Sequence, residues 1–122
     1  MKFIFNGQPL SKDNSKIMNK QGRFFLPRKY KDWETEKQWQ FIIQKKKYRI
    51  DFPLPGHLEV WLYFYYRDHR CGDLGNAEKS ICDAMNKFLW IDDLQIKIIH
   101  KYQRFDRDNP RIELEVKSIT SI

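Results

Sequence analysis

Asp73, Asp83, Asp92 and Asp93 gather in a 21-residue stretch around Lys79. Carboxylates are hard oxygen ligands suited to Mg²⁺, and metal-assisted attack on a phosphodiester needs such an ion to generate hydroxide and to neutralise the transition state. A lysine among them adds a cation able to steady a phosphate oxygen. The same residues have a plain structural reading, which stays open: an acidic helix start, an i,i+4 Lys79/Asp83 pair and an acidic turn. The run 73-DLGN-76 looks like an acidic motif with one acid missing. His69, Cys71, Cys82 and His100 are the other metal-ligand types, but their spacing matches none of the usual zinc patterns.

The elements that must position these groups follow from periodicity. In 76-NAEKSICDAMNKF-88, Ala77, Ile81, Ala84, Met85 and Phe88 share one face at spacings of three and four. That predicts an amphipathic helix with Asn76 as its N-cap and with Lys79 and Asp83 on the polar side. The run 57-HLEVWLYFYY-66 alternates and is apolar on both faces, as expected of a central strand covered on both sides. A second helix is expected from Tyr30 to Lys47, a stretch free of Gly and Pro. The segment 2-KFIF-5 reads as a first strand closed by the turn 6-NGQP-9, and 94–105 with 111–117 as a C-terminal hairpin. Together these make an α+β domain spanning 1–122, with two main helices and a small mixed sheet.

With 41% hydrophobic and 16% aromatic residues, the chain buries enough apolar surface to fold despite a charged fraction of 32%. Its formal charge of +7 sets up an outward positive field, and a polyanion is the partner such a field attracts. Much of that charge lies from Ser11 to Lys31, where seven cations face Asp13 and Glu-free sequence, a pattern expected of a basic loop or arm with a two-strand excursion at 23-RFFL-26. No signal-peptide core opens the chain, and no apolar run approaches the ~18 residues of a membrane span. A cytoplasmic protein with reduced thiols is expected.

The run 72-GDLGNAEKSICDAMNKFLWIDDLQI-96 resembles the signature of the RusA-type endonucleases, Holliday junction resolvases of bacteria and their phages. The shared pattern is an Asp, any residue, Asp-Asn, a Lys three residues on, then Asp-Ala and a Trp-hydrophobic-Asp-Asp corner. The stretches 3-FIFNGQPLSK-12 and 22-GRFFLPRKYKDWE-34 look like the opening of the same family. The resemblance implies a two-fold homodimer that binds four-way junction DNA and cuts symmetrically related strands with Mg²⁺, for which Mn²⁺ substitutes. It places metal-binding acids at Asp73 and Asp93 and the catalytic lysine at Lys79. The third acid falls on Gly75, a departure that implies impaired cleavage, or a protein that only binds branched junctions.

Such a homodimer takes no small-molecule substrate and no membrane. Its DNA contacts are expected at Lys12, Lys16, Arg23, Arg28, Lys29, Arg67 and Arg70, with 45-KKKYR-49 either a further contact or a solvated helix end. A helix from 76 to 88 spans roughly 18 Å, whereas ligands of one Mg²⁺ approach to about 2.1 Å. Asp73 and Asp93 are therefore expected to meet across the two-fold axis, each site drawing on both subunits.

Overall fold

A computed structural model describes residues 1–10, 17–18, 20–22, 24–25, 28–69 and 74–120, with 17–18 and 24–25 described by backbone alone. In chain order the elements are β1 Lys2–Asn6, β2 Ile17–Met18, β3 Phe24–Phe25, α1 Arg28–Gln44, β4 His57–Tyr66, α2 Leu74–Met85, β5 Ile96–Phe105 and β6 Arg111–Ile119. β2 and β3 pair with each other, and the remaining strands form a four-stranded mixed sheet in the order β1-β6-β4-β5. The architecture is α+β, with two helices and this sheet.

β4 is the axis of the sheet. Leu58, Val60, Leu62 and Phe64 are fully buried and Tyr66 nearly so. They meet Ile112, Leu114 and Val116 of β6, Phe3 and Phe5 of β1, and the apolar stripe of α2 formed by Ala77, Ile81, Ala84 and Met85. Phe88 follows α2 and is only half-buried. The opposite face of β4 differs from expectation: Trp61, Tyr63 and Tyr65 are half-buried, because no element of the described chain covers them. They are shielded by their own neighbours instead. Trp61 stacks on His100 at 5.0 Å, Tyr63 on Tyr102 at 4.9 Å, and the Arg111 guanidinium lies 3.8 Å over Tyr65.

The expected C-terminal hairpin is not formed. β5 runs parallel to β4 and β6 antiparallel to it on its other side, so β4 separates the two. Alternation identifies a strand but not its neighbour. The turn 106–110 passes over the end of β4, where the Asp106 N–H donates to the Tyr66 carbonyl at 2.8 Å, and β6 then descends on the far side. Two helix boundaries also shift. α2 begins at Leu74, which puts Asn76 inside its first turn rather than at the cap; α1 runs Arg28–Gln44 and tightens into a 3-10 turn at Lys45–Lys47.

β1 lies at one edge of the sheet, and side chains of α1 and the turn after it satisfy its outward backbone groups. The Ile4 N–H donates to Gln44 Oε1 at 2.8 Å, and Gln44 Nε2 returns to the Ile4 carbonyl at 2.6 Å. Gln40 Oε1 accepts from the Asn6 N–H at 2.9 Å, Lys37 Nζ donates to the Asn6 carbonyl, and the Tyr48 hydroxyl serves both groups of Lys2. Lys37 reaches this place by being buried in α1, and burial lowers the pKa of its ammonium, with Glu36 at 3.3 Å opposing the shift. The turn beyond it needs Gly7 twice over: its φ is +106°, and a Cβ there would stand 3.2 Å from Lys37 Nζ.

Spacings of three and four residues along α1 thus convert an open strand edge into a closed one. Gln44→Ala removes both bonds to Ile4. The expected cost is about 1 kcal/mol, read as a lower urea midpoint at unchanged slope. Sedimentation at rising concentration should show the reopened edge as self-association.

Candidate active site

Parallel pairing of β4 with β5 requires a long crossover, and α2 with the corner after it provides one. The helix ends at Met85, Lys87 takes a left-handed conformation at φ +71°, and its N–H donates to the Trp90 carbonyl at 2.7 Å. Trp90 is fully buried, and its indole N–H donates to Asn86 Oδ1 at 2.9 Å. With its oxygen so engaged, the Asn86 amide turns its nitrogen to Asp93, to which it is hydrogen-bonded.

The two acids of the corner divide their labour. Asp92 is a cap: its carboxylate accepts from the Leu94 N–H at 2.8 Å, while Gln95 Oε1 accepts from the Asp92 N–H at 2.9 Å. Gln95 Nε2 also donates to the Leu54 and Gly56 carbonyls, both at 2.8 Å, tying the corner to the loop before β4. Asp93 is left to face a cleft of about 410 Å³ lined by Gly75, Glu78, Lys79, Cys82, Asp93, Ile96 and Ile99. Glu78 braces that cleft by pairing with Lys101 of β5 at 3.1 Å.

Burial raises the pKa of Asp93, and the neighbouring charges of Asp92 and Asp83 add to the effect, while the bond from Asn86 opposes it. Cys82 is buried, and burial together with Glu78, Asp93 and Asp83 drives its thiol far above the ordinary range. Burial among acids disfavours its thiolate.

The cleft brings Gly75, Lys79 and Asp93 to one surface. Asp93 is beside Asp83 and Asn86 at the C-terminal end of α2, and Gly75 is in the first turn. The helical rise from Gly75 to Asp83 is about 12 Å. Asp73 lies outside the described residues, as do Lys12, Lys16, Arg23 and Arg70. Arg28, Lys29 and Arg67 are exposed and gather around Gln8: the first two line a groove with it, and the Arg67 N–H donates to its Oε1 at 3.0 Å. The 45–49 cluster is elsewhere, at the C-terminal end of α1 beside the closed β1 edge.

The model of the family described as endodeoxyribonuclease RusA matches residues 6–117 of this chain. The chain belongs to the RusA family. No curated protein matches it. RusA membership implies Holliday junction resolvase activity on branched DNA, an activity that generally depends on a divalent metal. Among the described residues no helix is long and apolar enough to cross a membrane.

Two RusA-domain residues that hold the corner escaped the sequence reading. Gln95 had a signal, since an Asp followed three residues later by Gln is a capping-box spacing. Asn86 had only its i,i+4 relation to Trp90. Asn86→Ala strands a fully buried indole N–H, for which about 1–3 kcal/mol of lost stability is expected in urea unfolding.

Proposed function

We propose that this protein is a dimeric, structure-selective endonuclease of four-way DNA junctions, weakened at its metal site by Gly75. The observation that carries the reading is one cleft lined by Gly75, Lys79 and Asp93 in a chain of the RusA family. The donor chemistry fits Mg²⁺, with Mn²⁺ able to replace it. Asp93 is a hard oxygen donor crowded by Asp92 and Asp83, a concentration of negative charge that a divalent cation relieves. Among the described residues no group of three His, Cys, Asp or Glu side chains is disposed to hold an ion, so the set needs Asp73 to complete it.

When bound, the ion supplies a hydroxide nucleophile and neutralises charge developing on the phosphate. The chain does the rest. Lys79, one turn beyond Gly75 and exposed at the cleft, holds a phosphate oxygen; Asn86 orients the Asp93 carboxylate, and the Glu78–Lys101 pair fixes α2 against β5. Because Asp93 belongs to one end of α2 and Asp73 precedes the other, each site draws Asp73 from one subunit and Asp93 from its partner.

Gly75 itself favours a second reading, a junction-binding protein that no longer cuts. Helical backbone is available to any residue there, since the positive-φ glycines among the described residues are Gly7, Gly22 and Gly56, and an acid in a first helical turn suits the dipole. Gly75→Asp is therefore expected to fold and to raise Mg²⁺-dependent junction cleavage by 10-fold or more, given that outer partners of metal ligands are already worth ~10–100-fold. A Gly75→Asp protein no more active than its parent leaves the binding-only reading. In the Gly75→Asp background, mixing an Asp73→Asn chain with an Asp93→Asn chain restores one competent site per heterodimer; mixtures as inactive as either variant alone reject shared sites.

A further inference from the structure

The two edges of the sheet are treated in opposite ways. β1 is closed by α1, whereas β5, ten residues long, has no strand partner on its outer side among the described residues. β5 reads IKIIHKYQRF: it carries Lys97, His100, Lys101 and Arg104 and no acid, and Arg107 follows it. The strand starts at Ile96, after the 3-10 turn Asp93–Gln95, and Ile96 and Ile99 line the active-site cleft.

We propose that the β5 edge is a nucleic-acid track that leads a phosphodiester backbone past the cleft. This inference rests on the junction-nuclease reading and adds a contact surface to it. Lys97 is exposed at a register shift, where Leu58 pairs with Ile96 and Glu59 with Ile98, so the residue between them drops out of the pairing. Bulges at sheet edges beside active sites re-aim a side chain. Arg104 is exposed toward the other end of the strand, where its guanidinium lies 5.2 Å from the centre of the Tyr102 ring and donates to the Gln103 carbonyl at 3.0 Å. The seven strand steps from Lys97 to Arg104, at about 3.3 Å each, cover roughly 23 Å, between six and seven phosphate spacings at the ~3.4 Å axial rise of one DNA strand. Backbone N–H groups of an unpaired edge add neutral donors for the same oxygens.

A second copy is the wrong occupant. Antiparallel self-pairing centred between His100 and Lys101 sets Lys97 against Arg104 at both ends of the paired stretch, cation on cation, which is destabilising. Lys101 is already paired with Glu78 and His100 with Glu59, so Lys97 and Arg104 are the cations that this edge offers to a phosphate backbone.

The test is fluorescence anisotropy in metal-free buffer, with a labelled four-way junction and a linear duplex titrated across a potassium chloride series. Lys97→Gln/Arg104→Gln is compared with the parent, with Lys97→Arg/Arg104→Lys, and with Lys46→Gln/Lys47→Gln at the closed edge. The first variant is expected to weaken binding to both DNAs and to lower the slope of log affinity against log salt by about 2, from roughly 0.9 per lost phosphate contact. The charge-preserving variant and the closed-edge variant keep the parental slope. An unchanged slope in Lys97→Gln/Arg104→Gln overturns the track, all the more if that variant associates with itself, since the charges would then serve only to keep the edge unpaired. An equal loss in the closed-edge variant overturns it too. A parent that binds duplex as tightly as junction defeats the junction reading while the slope difference still supports the track; a parent that binds neither DNA defeats both.

Discussion

Parallel strands cannot be joined by a tight turn, and that constraint organises this molecule. Once β5 lies parallel to β4, the chain must travel the length of the sheet between them, and α2 is the means. The helix then necessarily spreads its polar face along the cleft, with Gly75 and Lys79 toward its start and the acid-rich corner beyond its end. The corner has to reverse direction, which the Asp92–Gln95 cap and the buried Trp90–Asn86 contact accomplish. Asp93 is presented to the cleft because its neighbours are consumed in making the turn.

Much of this was legible in the residues, and the failures have physical causes. The apolar stripe of α2 and the alternation of β4 were readable because each face of those elements meets one environment. β5 and β6 alternate just as clearly, yet nothing in alternation says that β4 would lie between them. Coverage on the far side of β4 was over-read for a related reason: Trp61, Tyr63 and Tyr65 are hydrophobic enough for a core but here shelter one another and their cross-strand partners. Asp92 and Asp93 are indistinguishable as letters, and only the cap separates them.

The polar residues of α1 show the same limit in another form. Lys37, Gln40 and Gln44 look like solvent-facing residues of a hydrophilic helix. They are instead a complement to the backbone of β1, which binds α1 to the sheet through hydrogen bonds as well as apolar contacts. Phe41, fully buried between them, supplies the apolar share. The weak amphipathic pattern of this helix follows from that role: its inward face was selected to meet amide groups as well as carbon.

That closed edge also limits what the protein can polymerise into. A sheet with two open edges adds copies without end, each newcomer offering a fresh edge to the next. Here β1 offers none, so any strand accepted at β5 terminates the growth it begins. Among the described residues, edge pairing through the four-stranded sheet can reach two sheets and no more, and a fibre built by that route has no second step.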